Sequence, residues 1–223
     1  MRLIAHRGFA STAPENTVRA VEAAARVADE IEIDVRRCAS GELVAVHDET
    51  VDRITDGSGA VGEHTYSDLA ALDVLETAMS IPRLSSVLQA IPTDVRANVE
   101  LKERGVATDA LDTIESMHPN SIVSSFFPDV LENCRSVDST VPRAYITDNP
   151  GTESVETATD LECENLHVSK EVCTEALVAT AHRAELDVNV WTIDSRSETD
   201  ALAETGIDGV IADRPDVLVE SAI

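Results

Sequence analysis

The run Ile31-Glu32-Ile33-Asp34-Val35 constrains this chain more than any other stretch. Side chains on a strand alternate faces, so Ile31, Ile33 and Val35 share one face and Glu32 and Asp34 share the other. The flanking β-branched residues argue for a buried strand. Two buried carboxylates side by side repel each other unless a cation or a shared proton lies between them. The rest of the chain supplies a third carboxylate, two histidines, an arginine and a lysine at places that can converge on this pair.

The 223 residues suit one domain with a sizeable core, spanning 1–223. They are also enough for a compact (β/α)₈ barrel. Apolar residues make up 43% and aromatics only 3%, so the core is built mainly from Val, Ala, Leu and Ile. Asp plus Glu number 42 against 17 Lys plus Arg, a net charge of -25. Only Lys102 and Lys170 are lysine. So acidic a chain is a poor partner for nucleic acid or an anionic membrane. Self-repulsion costs it stability unless salt screens the charges, and the acidic, lysine-poor composition resembles that of salt-adapted proteins. Cys38, Cys134, Cys163 and Cys173 form no CxxC pair or zinc spacing, which predicts free thiols in a reducing cytoplasm. The first strand begins almost at Met1, so no signal peptide is expected, and no apolar run reaches the roughly 20 residues a membrane span needs.

In order, Arg2–His6 reads as a strand, and Pro14-Glu15-Asn16-Thr17 as a helix start. After the acidic strand, Leu43-Val44-Ala45-Val46 is a second strand, with Ser40-Gly41 as a two-residue hairpin turn. That turn would pair residues whose numbers sum to 81, placing His47 opposite Asp34. A polar, turn-rich insertion at about 49–81 follows, with a short helix near Ser67–Leu75. Its Asp56-Gly57-Ser58-Gly59 does not lead from a strand into a helix, which argues against a nucleotide loop. Pro82–Ile91 is helical by its apolar spacing. Strands are then expected at Val95–Lys102, Ile122–Phe126, Arg143–Thr147, Leu166–Val168, Asp187–Ile193 and Gly209–Ala212. The helices between them fall near Val106–Met117, Asp129–Arg135, Glu153–Leu161, Glu171–Ala184 and Glu198–Thr205, with a last one after Pro215. The alternation means parallel strands with helices outside. It yields nine candidate strands where a (β/α)₈ barrel holds eight, so one of the pair around Ser40-Gly41, or one late strand, is surplus.

Catalytic groups in such barrels lie where strands lead into helices. His6, Glu32, Asp34, His47, Glu100 and Lys102 all fall there. Glu32, Asp34 and Glu100 form an oxygen-rich set suited to one hard divalent cation, Mg²⁺ or Ca²⁺. The two histidines suit general acid and base roles. Singly each residue is more often structural; their joint appearance at consecutive strand ends is the signal.

The segments Ile4-Ala5-His6-Arg7-Gly8, Pro14-Glu15-Asn16-Thr17, Glu32-Ile33-Asp34-Val35, Val46-His47-Asp48, Asn98-Val99-Glu100-Leu101-Lys102, Ser124-Ser125-Phe126, Val190-Trp191-Thr192 and Asp208-Gly209-Val210-Ile211-Ala212-Asp213-Arg214-Pro215 carry a resemblance. In that order the chain resembles the glycerophosphodiester phosphodiesterase family over nearly its whole length. The resemblance implies a barrel of the phospholipase C-like type. It implies a divalent cation on Glu32, Asp34 and Glu100, and His6 and His47 as the acid–base pair. Arg7 and Lys102 would contact the phosphate, and Phe126 and Trp191 would line the pocket. A guanidinium suits the task because it grips two phosphate oxygens at once. Asn16 would touch the site or cap the loop.

The implied reaction is metal-dependent hydrolysis of a small glycerophosphodiester to glycerol phosphate and an alcohol. Two alternatives stand beside it: a lysophospholipid or phosphoinositide-type phosphodiesterase, and a non-catalytic metal- or phosphate-binding barrel. Asp194 stands where the family often has Asn, and Ser85-Ser86 replaces a commonly acidic residue. The insertion is modest. These departures bear on substrate preference.

Overall fold

A computed structural model describes residues 1–218. Among the described residues nine strands form, β1 (Arg2–Ala5), β2 (Glu30–Arg37), β3 (Leu43–Ala45), β4 (Arg96–Leu101), β5 (Ser121–Ser125), β6 (Arg143–Thr147), β7 (Asn165–Ser169), β8 (Asp187–Ile193) and β9 (Gly209–Ala212). Eight of them pair in parallel in the order β1-β9-β8-β7-β6-β5-β4-β2, and β1 pairs with β2 to close the barrel. The surplus strand is β3, which lies antiparallel on the outer edge of β2.

Helices α1 (Val18–Ala24), α2 (Tyr66–Leu69), α3 (Leu84–Ala90), α4 (Ala107–Met117), α5 (Pro128–Val137), α6 (Glu153–Asp160), α7 (Glu175–Arg183) and α8 (Arg196–Ala203) complete the layer pattern. None among the described residues is long and apolar enough to cross a membrane. The main core lies between strands and helices: Ile31, Ile33, Val35, Val99 and Leu101 pack with Val21, Leu84, Leu88 and Leu111. Each such aliphatic side chain contributes about 1.5–3 kcal/mol by leaving water. The alternate residues of the same strands, Glu32, Asp34, Asn98 and Glu100, are buried polar groups. The strand period of two therefore sends apolar side chains to the helices and acids into the barrel.

Two local expectations are corrected. The hairpin pairs Val35 with Ala45, Arg36 with Val44 and Arg37 with Leu43, so paired numbers sum to 80. Its loop has three residues, Ala39-Ser40-Gly41, closed by Cys38 N donating to Glu42 O, with Gly41 at φ +98°. A left-handed Gly ending a three-residue loop is a favoured alternative to the two-residue turn. Asp34 therefore faces Val46, whose N–H donates to Asp34 O at 3.0 Å. His47 lies one residue beyond that bond, its carbonyl held by Arg36 Nε at 2.8 Å. The first helix begins at Val18, with Thr17 Oγ1 capping Ala20 N. Pro14–Asn16 form the turn that precedes it.

The insertion folds on a small core of its own, in which Val51, Ile54, Val61, Leu69 and Val74 pack with Val44 and Val46 of the hairpin. After Pro215 only a 3₁₀ turn, Pro215–Val217, is described; the rest of the expected last helix lies outside the described residues.

Candidate active site

The corner after β1 sets the first wall of the site. Arg7, Gly8 and Phe9 all take left-handed backbone conformations, at φ 52°, 76° and 67°. This path folds the chain back over the end of β2, so that Arg7 N donates to Glu32 Oε2 at 2.9 Å. Gly8 is required twice over. A Cβ there would lie 2.8 Å from Ala20 Cβ and 2.9 Å from Ala20 C, at a φ that side chains disfavour.

Glu32 and Asp34 on β2 and Glu100 on β4 are all buried, and each offers an oxygen within 4.8 Å of the others'. Register explains the meeting, since Asp34 pairs with Glu100 across the β2–β4 ladder. Two cations reach into the cluster. Lys102 Nζ lies 3.0 Å from Asp34 Oδ1 and also bonds Glu100 Oε1, and Arg7 Nε lies 3.0 Å from Asp34 Oδ2. Asn16 grips Asp34 from both sides, donating Nδ2 to Oδ2 at 2.8 Å and accepting from Asp34 N at 3.1 Å.

The three acids differ in character. Burial raises the Asp34 pKa, but Lys102 and Arg7 outweigh it and hold the carboxyl well below its usual range. Glu32 is pushed well above its ordinary value, first by burial and then by the charges of Asp34 and Glu100. Burial also raises Glu100, against the pull of Lys102.

Glu32 Oε1 accepts no hydrogen bond from the protein, and Asp34 Oδ1 meets only the Lys102 ammonium, at 3.0 Å. Oxygens on opposite sides of an ion with bonds of about 2.3–2.6 Å lie at most about 5 Å apart, so this all-oxygen set fits a hard divalent cation. A cation there would also relieve the repulsion that raises Glu32.

His6 follows β1 directly, and its Nδ1 lies 2.6 Å from Asp213 Oδ1 at the end of β9. Its Nε2 is 4.0 Å from Glu32 Oε2. His47 Nδ1 lies 2.6 Å from Asp48 Oδ1. Burial lowers the His47 pKa despite Asp34, with Lys102 and Arg7 adding to the effect.

One cavity brings His6, Arg7, Glu32, His47, Glu100, Lys102, Phe126 and Trp191 together. Asp34 lies behind them, beneath Arg7 and Lys102. Phe126 and Trp191 meet edge to face, with centroids 5.6 Å apart. Trp191 Nε1 donates to His167 O at 3.2 Å.

Several participants were not singled out by the sequence. Asp213 and Asp48 fix the two imidazoles, although both fall inside the motif segments. Glu15 binds Arg7 at 3.0 Å and is held in turn by Arg53, at 2.7 and 2.8 Å. Arg53 also contacts Asp48 at 2.6 Å. Burial opposes ionisation of Glu15, but Arg53 and Arg7 prevail and lower its pKa. Nothing in the insertion's sequence marks Arg53, because only folding brings residues 15, 48 and 53 into contact.

Known proteins are similar to this chain over nearly its whole length. The model of the glycerophosphoryl diester phosphodiesterase family matches residues 6–217. A glycerophosphodiester phosphodiesterase of Caldanaerobacter subterraneus is 29% identical, over 97% of this chain and 96% of its own length. One from Bacillus altitudinis is 27% identical, over 98% and 97%. Among solved structures, an Oleispira antarctica phosphodiesterase in complex with the product sn-glycerol-3-phosphate superposes with a TM-score of 0.90. It is 25% identical, covering 97% of this chain and 95% of that one. The Thermotoga maritima glycerophosphodiester phosphodiesterase gives 0.84 at 27% identity, covering 98% and 96%.

Proposed function

The chain belongs to the glycerophosphoryl diester phosphodiesterase family and hydrolyses glycerophosphodiesters, and from that premise we propose how its residues divide the work. Glu32, Asp34 and Glu100 hold one divalent cation, Mg²⁺ or Ca²⁺. When bound, that cation supplies positive charge against the charge that builds on the phosphoryl oxygens. Arg7 and Lys102, already at the cluster, hold the phosphodiester. Phe126 and Trp191 give the alcohol an apolar wall.

His47 is the general base. Its lowered pKa leaves the ring neutral at neutral pH, and Asp48 at Nδ1 orients Nε2 as the acceptor. It takes the proton of the glycerol hydroxyl next to the phosphate, and that oxygen attacks phosphorus. His6, oriented by Asp213, gives a proton to the leaving alcohol oxygen as its bond to phosphorus breaks. Water then opens the cyclic phosphate with the histidine roles reversed, releasing glycerol phosphate.

One barrel domain carries the activity. The substrate is a small molecule, and neither nucleic acid nor a membrane is a partner of so acidic a chain. The four unpaired cysteines suit a reducing cytoplasm. The composition suits high salt.

The observation that carries this reading is the meeting of three acids remote in sequence, with an imidazole–carboxylate pair on each side. Its test is His6→Ala and His47→Ala with glycerophosphocholine in high potassium chloride. Each is expected to lose at least about 10²-fold in kcat while keeping the wild-type melting temperature. A chelator is expected to abolish wild-type turnover, and Mg²⁺ or Ca²⁺ to restore it. Full activity in either variant, or in chelator, would sink the assignment.

A further inference from the structure

Arg53 does not line the catalytic cavity, and the reaction as described makes no use of it. The insertion nevertheless holds it firmly. Val51–Thr55 form a single tight turn, in which Thr55 N and Thr55 Oγ1 both donate to Val51 O, at 3.0 and 2.9 Å. Val51 and Ile54 are 0% and 2% exposed and pack into the insertion's own core. They pin the turn, and Arg53 leaves it away from that core, towards Glu15 and Asp48.

All three nitrogens of the guanidinium are engaged. Nη1 and Nη2 donate to the two oxygens of Glu15, at 2.7 and 2.8 Å, and Nε donates to Asp48 Oδ2 at 2.6 Å. Each carboxylate passes the contact on. Glu15 Oε1 also accepts from Arg7 Nη1 at 3.0 Å, and Arg7 Nε lies 3.0 Å from Asp34 Oδ2. Asp48 Oδ1 lies 2.6 Å from His47 Nδ1. Acidic and basic side chains thus alternate along Asp34, Arg7, Glu15, Arg53, Asp48 and His47, from the cation cluster to the base. An exposed ion pair contributes little by itself, but a bidentate fork inside a network is the case in which the geometry holds. The Glu15 side chain is only 8% exposed, so loss of Arg53 would leave a buried carboxylate to Arg7 alone.

We propose that Arg53 is a positioning residue for the reaction: by clamping Glu15 to Asp48 it sets the Arg7 head group against the phosphate and the His47 ring against the attacking hydroxyl in one register. The inference rests on the roles given to Arg7 and His47 above. The insertion then serves the chemistry directly, because its small core decides where the clamp sits. Lysine is no substitute, since one ammonium is a point charge where two carboxylates are held by a planar fork.

The test measures kcat and KM for glycerophosphocholine at saturating Mg²⁺. Arg53→Gln is expected to lower kcat at least about tenfold, through His47, and to raise KM at least about threefold, through Arg7, since displacing a group by about 1 Å costs up to about 100-fold. The kcat loss should shrink to less than about threefold in an Asp48→Asn background, and the KM change should vanish in Glu15→Gln, because residues that act through one another are not additive. Unfolding behaves otherwise: it lowers the active fraction, leaves KM alone and multiplies through every background. Arg53→Lys keeps the charge, so its reading does not depend on a neutral side chain being tolerated. It is expected to keep the wild-type melting temperature and to stay at least about tenfold below wild type in kcat/KM. Wild-type kcat and KM in Arg53→Gln, wild-type kcat/KM in Arg53→Lys, or independent losses in the double variants overturn the clamp. With His47→Ala inactive, such a result overturns this inference alone. Full activity in His47→Ala overturns the roles on which it rests.

Discussion

His6 and His47 each hand Nδ1 to a carboxylate, which leaves one ring nitrogen per imidazole for chemistry. For His47, the proposed base, the carboxylate fixes tautomer and orientation together, since a neutral ring that donates at Nδ1 must accept at Nε2. For His47 this has a pH signature. A base must be deprotonated to act, and its pKa lies below 6.5. The acidic limb of kcat/KM, measured at saturating Mg²⁺, is therefore expected below pH 6.5, with activity falling as pH drops through it. The bond to Asp48 opposes the lowering of that pKa. Asp48→Asn is accordingly expected to shift the limb to lower pH while reducing kcat through lost orientation. A limb above pH 6.5, or one that Asp48→Asn moves upward, would contradict His47 as the base.

Among the elements, the β1–α1 corner controls the most. It aims Arg7 N at Glu32, Arg7 Nε at Asp34 and the Arg7 head group at Glu15, and it carries Asn16 to Asp34. All of this depends on a backbone that turns left-handed at three successive residues. Gly8→Ala would set a methyl group against the Ala20 backbone at that corner. It is expected to cost about 2–4 kcal/mol, the sum of overpacking and a disfavoured φ. Cation affinity should fall along with the melting temperature. Gly41 is the control: its φ is +98° but nothing lies within 4 Å of an added Cβ. Gly41→Ala is expected to cost only about 1 kcal/mol and to leave cation affinity alone. Equal effects at the two positions, read by thermal melts and cation titration, would remove the corner's special standing.

For the whole molecule, charge is the dominant global term. A net charge of -25 on 223 residues is carried largely at the surface, while the cations gather around the site and in ion pairs. Mutual repulsion extends about 10 Å at 0.1 M salt and about 3 Å at 1 M. Raising potassium chloride from 0.1 to 2 M is expected to raise the melting temperature by on the order of 10 °C, a few kcal/mol for a chain of this size. Sucrose of matched osmolarity should do less. A melting temperature flat across that salt range would set aside the salt-adapted reading.

The alternation of strand and helix and the acids on one face of β2 and β4 were legible in the sequence, because periodicity and residue chemistry are local properties. The hairpin register was not: Ser40-Gly41 fits either a two- or a three-residue loop, and only the φ of Gly41 and the Cys38–Glu42 bond decide between them. Nor was the Glu15–Arg53–Asp48 relay legible. Barrel closure alone brings β1 beside β9, and so Asp213 to His6 across 207 positions. The chain's order determined which chemistry was on hand; three-dimensional proximity, set by closure and register, decided which groups hold one another in place.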